Sequence, residues 1–236
     1  MGSIGSNLQG VKGRIERACA AAGRDANTVT LLVVSKTFGA EAVREAFAAG
    51  ARAFGENYVQ EALAKIEALA DLRRQLEWHL IGPLQSNKTR AVAEAFDWVH
   101  TVDRLKIAER LAAQRPPELP PLGVCLQVNV SGEASKSGIA PAELPALAAA
   151  VAALPRERLR LRGLMSIPEP TDDVALQRRQ HRLLRELFEA LRGEGLALDT
   201  LSMGMSADLE AAVLEGATIV RVGSAVFGGR QPARAD

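Results

Sequence analysis

An eightfold alternation of short apolar runs and amphipathic stretches within 236 residues predicts an α/β fold, a (β/α)8 TIM barrel with an extra N-terminal helix. A doubly wound sheet usually stops near six strands, whereas eight βα steps suit a barrel of about 250 residues. Residues 1–236 then form a single domain, with 1–28 as the lead-in helix and 228–236 as a flexible tail.

The lead-in carries Leu8, Val11, Ile15, Cys19 and Ala22 at spacings of three and four, with Gln9, Lys12, Arg14 and Arg17 elsewhere around the helix. Gly23 stops it, and the β-branched, apolar run at 30–35 reads as a strand buried on both faces, the mark of a parallel sheet. A helix at 41–49 follows and ends at Gly50. The same unit recurs as runs at 51–54, 78–81 and 98–102 with helices at 58–70, 88–96 and 104–113. It continues with runs at 124–130, 159–167, 200–203 and 218–222 and helices at 142–154, 174–191 and 207–215. The proline-rich stretch 115–121 is too short to divide domains and reads as the loop before the fifth strand. The basic run 177–182 reads as the solvated face of its helix.

Composition narrows the partners. Lys and Arg number 29 against 28 Asp and Glu, a net charge of +1 without blocks of like charge, so no grip on nucleic acid or acidic lipid is built in. The longest apolar stretch, 147–154, is far short of a membrane span. Cys19 and Cys125 are distant, and His79, His100 and His181 lack metal-ligand spacing, so neither a disulfide framework nor a metal site is expected. With no export signal, these features point to a cytoplasmic protein with a small-molecule partner.

Barrel chemistry sits where strands end. The first strand ends Val34-Ser35-Lys36-Thr37, placing Lys36 at the mouth, where partial burial favours the uncharged amine that attacks carbonyls. A lysine there can also snorkel to solvent, and Lys88 and Lys136 are weaker rivals. In the segment Ser202-Met203-Gly204-Met205-Ser206-Ala207-Asp208, Ser206 stands where a helix N-cap belongs, and the last strand ends Arg221-Val222-Gly223-Ser224. Loops after strands seven and eight hold phosphate in many barrels, so a lysine on strand one and an anion cradle there suggest a phosphorylated aldehyde held covalently, pyridoxal 5′-phosphate being the first candidate.

Six motifs in order then carry a resemblance over nearly the whole chain: Val33-Val34-Ser35-Lys36-Thr37, Phe54-Gly55-Glu56-Asn57-Tyr58-Val59-Gln60-Glu61, Trp78-His79-Leu80-Ile81-Gly82-Pro83-Leu84-Gln85-Ser86-Asn87-Lys88, Gly163-Leu164-Met165, Leu201-Ser202-Met203-Gly204-Met205-Ser206, and Val220-Arg221-Val222-Gly223-Ser224. The chain resembles the pyridoxal phosphate homeostasis proteins, the single-barrel family like the alanine racemase N-terminal domain. That resemblance implies a fold-type III pyridoxal phosphate barrel with a Schiff base on Lys36. It implies phosphate on Ser206, Gly223 and Ser224, Arg221 facing the pyridine nitrogen, and Asn57 near the Schiff base or phosphate, with Met203, Met165 and His79 lining the pocket. It further implies cofactor homeostasis or carriage without robust catalysis, by a monomer that passes its cofactor to apoenzymes. The related racemases add a second domain and a tyrosine base, whereas this sequence ends just after strand eight and its only tyrosine is Tyr58. The competing readings are a pyridoxal-phosphate-dependent amino-acid racemase or lyase, and a Schiff-base aldolase acting on phosphorylated sugars.

Overall fold

The computed structural model describes residues 2–132 and 137–228, so Lys136 and the tail beyond Gly228 lie outside the described residues. The strands β1 (Thr30–Val34), β2 (Ala53–Glu56), β3 (Glu77–Leu80), β4 (Trp98–Val102), β5 (Leu122–Gln127), β6 (Leu159–Met165), β7 (Thr200–Ser202) and β8 (Ile219–Val222) form one closed barrel in sequence order. Every neighbouring pair is parallel, and β1 closes on β8 with Leu32 opposite Arg221 and Val33 opposite Val222. This is the TIM barrel that the alternation predicts. Around it run α1 (Ile4–Ala21), α2 (Ala40–Ala48), α3 (Val59–Ala68), α4 (Thr89–Ala95), α5 (Leu105–Gln114), α6 (Leu144–Ala152), α7 (Val174–Gly193), α8 (Leu209–Leu214) and α9 (Ser224–Phe227). Among the described residues, no helix is long and apolar enough to cross a membrane.

Alternate residues of a strand face opposite sides, which sorts the apolar residues into two shells. Val33, Phe54, Trp78, Val99, Val220 and Val222 join the helices in the outer core. Inside the barrel lie two smaller clusters, Leu32, Val34, Ala53, Ile81 and Ile219 in one, and Trp98, Cys125 and Met165 in the other. The interior is crowded enough to need glycine: a Cβ on Gly123 would come within 2.8 Å of the Trp98 ring, and one on Gly163 within 1.7 Å of the Thr200 carbonyl.

Several boundaries differ from the sequence reading, each for a physical reason. β2 starts at Ala53, where pairing with β3 begins opposite Glu77, and runs on to Glu56. The loop 115–121 is pinned by Arg115, which is 3% exposed and donates to the carbonyls of Ala93, Phe96 and Pro120. The run 177–182 is not wholly a solvated face: Gln177, Gln180 and His181 are buried, while Arg178 and Arg182 reach the buried Glu215. α9 is too short to show a sequence period. Phe227 stacks on Phe38 with ring centroids 4.6 Å apart, and Asn7 of α1 donates to the Val226 carbonyl at 2.9 Å.

Two glycine substitutions test this packing. Gly163→Ala must displace a barrel strand and is expected to cost several kcal/mol, on the order of 3 or more, or to prevent folding. Gly10→Ala, in α1 with open space around the new methyl, should stabilise by about 0.5–1 kcal/mol. Urea denaturation of both variants is the check, and the two effects should have opposite signs.

Candidate active site at the barrel mouth

Lys36 follows β1 in phase with Leu32 and Val34, so strand alternation sets it on the barrel side, and it is half-buried. Its neighbours in the chain are held from outside the barrel. Ser35 is fully buried, and its hydroxyl donates to Glu56 Oε1 at 2.6 Å. Lys65 of α3 donates to the same Glu56 oxygen at 2.8 Å and to the Ser35 carbonyl at 2.7 Å. Lys65 also pairs with Glu61 at 2.6 Å, and Glu61 accepts the Thr37 backbone N–H at 2.6 Å. Thr37 has φ of 67°, a left-handed conformation unusual for threonine. The buried network therefore grips the residues before and after Lys36 and holds a strained turn in place. Burial pushes the Glu56 carboxyl up from its ordinary range, against the pull of Lys65 and Ser35.

On the other side of β1, the β8 end supplies Gly223 and Ser224. A Cβ on Gly223 would stand 3.0 Å from the Val34 carbonyl, so β8 approaches β1 closely there. The Ser224 hydroxyl lies 3.3 Å from that of Ser206, which joins the β7 and β8 loops. Ser206 is not the helix cap that its position suggests. The N-cap of α8 is Asp208, whose carboxylate accepts the Met205 N–H at 2.6 Å and meets His181 Nε2 at 3.0 Å. Ser206 is left with its hydroxyl toward Ser224, while Arg14 of the lead-in helix binds the Ser206 carbonyl at 2.9 Å. Gly204, at φ of 92° and with no room for a Cβ beside Ala212, makes the turn from β7 into this loop.

Arg221 is 3% exposed, opposite Leu32 and in phase with Ile219 inside the barrel. It donates to Ser202 Oγ and to the Ser166 carbonyl, each at 2.8 Å. Burial pulls its guanidinium down to about 10, with Asp208 and Cys125 opposing, so it stays charged at neutral pH. Asn57 is half-buried after β2, and its loop seats on the backbone of Gly82, where a Cβ would meet the Asn57 carbonyl at 2.1 Å. Among the described residues, Asn57 Oδ1 and Ser166 Oγ are buried without a hydrogen-bond partner, as expected of polar atoms set to meet a ligand.

Lys36, Gly223 and Ser224 thus flank one another on adjoining strand ends, Ser206 joins them through Ser224, and Arg221 lies on the same side of the sheet. The other candidates sit apart from this group. Met203 is fully buried in the outer core, and Met165 packs on Trp98 and Cys125 inside the barrel. His79 is 1% exposed and stacks on Trp98 with centroids 5.4 Å apart. Lys88 ends a short turn before α4, half-buried. Sequence reasoning missed Glu56, Lys65, Ser166 and His100. The first two lay within motif or helix without a chemical signature, and Ser166 is one residue beyond Gly163-Leu164-Met165.

Two predictions follow from the clamps. Lys65→Met leaves Glu56 buried beside an apolar chain and should cost about 3–5 kcal/mol in denaturant unfolding, more than Glu56→Gln with Lys65→Met together. Burial opposes ionisation of Asp208, yet its bonds to His181 and the Met205 N–H hold the carboxyl below its ordinary 3.8. A depressed acid contributes stability that is present above pH 3.8 and lost as pH falls through the folded value. Asp208→Asn should therefore be less stable at neutral pH and lose less on acidification, measured between roughly pH 2 and 7.

Residues 7–231 match the family model described as the alanine racemase N-terminal domain. A protein of Pseudomonas aeruginosa named pyridoxal phosphate homeostasis protein is 65% identical over 230 residues, 98% of this chain and 97% of that one. The protein of the same name from Escherichia coli K12 is 54% identical over 231 residues, 98% of each. PipY of Synechococcus elongatus, solved with PLP bound, is 41% identical and superposes with a TM-score of 0.80 over 91% of this chain and 100% of that one. On these matches, and on the barrel and site just described, the chain belongs to the family of the alanine racemase N-terminal domain, among the pyridoxal phosphate homeostasis proteins.

Proposed function

We propose that this chain binds pyridoxal 5′-phosphate reversibly at Lys36 and serves intracellular cofactor homeostasis or carriage, as a cytoplasmic monomer that releases the cofactor to apoenzymes. The observation that carries the reading is the convergence at one barrel mouth of a half-buried lysine, the Ser206–Ser224 hydroxyl pair and the buried Arg221. The partnerless Asn57 Oδ1 and Ser166 Oγ fit a polar ligand there. The ligand of PipY and the names of the Pseudomonas and Escherichia relatives support the same chemistry.

Pyridoxal phosphate supplies an aldehyde that a lysine amine converts to a carbon–nitrogen double bond with loss of one water, and a ring able to withdraw electrons. Lys36 would provide the amine, Ser206, Gly223 and Ser224 would hold the phosphate, Asn57 would stand beside them, and Met165 and His79 would lie deeper in the barrel interior, with Met203 behind β7 in the outer core. Arg221 would face the ring nitrogen. A guanidinium only donates hydrogen bonds and does not give up a proton at neutral pH, so Arg221 would keep a ring nitrogen opposite it unprotonated and would make the ring a weaker electron sink. That favours holding the cofactor over breaking bonds at an amino-acid α-carbon. Racemisation also asks for a second acid/base group, and the single tyrosine, Tyr58, stands 55% exposed.

Incubation with pyridoxal phosphate should give a yellow band that borohydride abolishes, with the added mass on a peptide containing Lys36. Lys36→Ala should lack both. Attachment at a different lysine, or no band in excess cofactor, would contradict the reading. Steady-state turnover of alanine or serine by the loaded protein would replace carriage with the racemase or lyase reading.

A further inference from the structure

Behind Arg221 runs a file of hydrogen bonds that crosses the barrel interior. Ser202 Oγ, which accepts from Arg221 at 2.8 Å, lies 2.8 Å from His100 Nδ1. His100 Nε2 lies 2.9 Å from His79 Nδ1, and His79 Nε2 faces Glu77 Oε2 at 3.7 Å. Both histidines and Ser202 are 1% exposed or less, drawn from β3, β4 and β7. Two directions of donation keep all three bonds with neutral rings, because a serine oxygen can accept twice; the one that turns a proton rather than a lone pair of His79 Nε2 toward the Glu77 carboxylate is favoured. Arg221 has no acceptor, so Ser202 must accept from it and can turn its own proton to His100 Nδ1. His100 then carries its proton on Nε2 and donates to His79 Nδ1, which leaves the His79 proton on Nε2, toward the Glu77 carboxylate.

We propose that His100 and His79, acting through Ser202, are positioning residues that hold the Arg221 guanidinium in one orientation toward the barrel mouth. Burial, first of all, presses His100 well below its ordinary range, which keeps the ring neutral. At the far end His79, against desolvation, and Trp98 hold Glu77 ionised below its ordinary range, and Trp98 Nε1 donates to Glu77 Oε1 at 2.5 Å. A two-nitrogen ring is needed at each histidine position, because each must accept on one side and donate on the other. The inference rests on the pyridoxal phosphate reading only for what Arg221 faces; the chain itself belongs to the ligand-free protein.

The test is therefore made first without ligand, by nitrogen-15 NMR of the histidine rings and of the arginine side chains. The wild type should show His100 and His79 as neutral Nε2–H tautomers and an Arg221 guanidinium whose rotation is slowed. Ser202→Ala should release both, mixing the His100 tautomers and freeing Arg221, while Ser202→Thr, which keeps the hydroxyl, should restore them. His100 in the Nδ1–H tautomer or charged in the wild type, or an Arg221 equally restrained in Ser202→Ala, would overturn the proposal. With pyridoxal phosphate added, Ser202→Ala should bind about tenfold more weakly, and Ser202→Thr near the wild-type level. Equal affinity in all three overturns the positioning role. Absence of binding by the wild type itself rejects the cofactor reading, and the ligand-free spectra then decide the chain alone.

Discussion

A guanidinium can donate hydrogen bonds but never accept one, and Arg221 places that one-sided group almost wholly inside the barrel. A charge taken out of water there is tolerable only if its N–H groups are met. Ser202 and the Ser166 carbonyl meet two of them, and Ser202 links that bond onward to the paired histidines. The interior of this barrel is consequently not the layered apolar packing usual for the fold. It is half apolar, around Leu32, Val34 and Ile81, and half a polar file leading to Arg221.

The mouth is organised from outside as well as from within. The Lys65–Glu56–Glu61 network lies between α3 and the first two strands and fixes the backbone on both sides of Lys36. The lead-in helix does the same for the adjoining β7–β8 side of the mouth, through Arg14 on the Ser206 carbonyl and Asn7 on the Val226 carbonyl. A buried ion pair is a poor source of net stability, because desolvation consumes most of its Coulombic gain. Its value at this position is geometric: it holds Thr37 in a conformation that threonine otherwise avoids.

Much of this was legible in the sequence because it depends on local pattern. The eight apolar runs, their parallel order and the polar residues following β1, β7 and β8 are read from periodicity and chain position; in the structure Ser206 meets Ser224, and Gly223 lies against Val34, two residues before Lys36. What escaped depends on contacts between distant segments. α8 starts after Asp208 rather than Ser206, and the Asp208 carboxylate is taken up by the Met205 N–H and by His181, 27 residues away. The pairing of His79 with His100 requires β3 and β4 in register, and its link to Ser202 spans 102 residues. Glu56 and Lys65 look like ordinary surface charges until the fold buries them against Ser35. Periodicity reports which face is buried, and it carries no information on which buried polar groups will find one another.

The most direct test of the account is a crystal structure of the protein soaked with pyridoxal phosphate. The account predicts continuous density from Lys36 Nζ to the cofactor, the phosphate between Ser206, Gly223 and Ser224, and the ring nitrogen facing Arg221. A cofactor joined to another lysine, or one whose ring nitrogen turns away from Arg221, would contradict it.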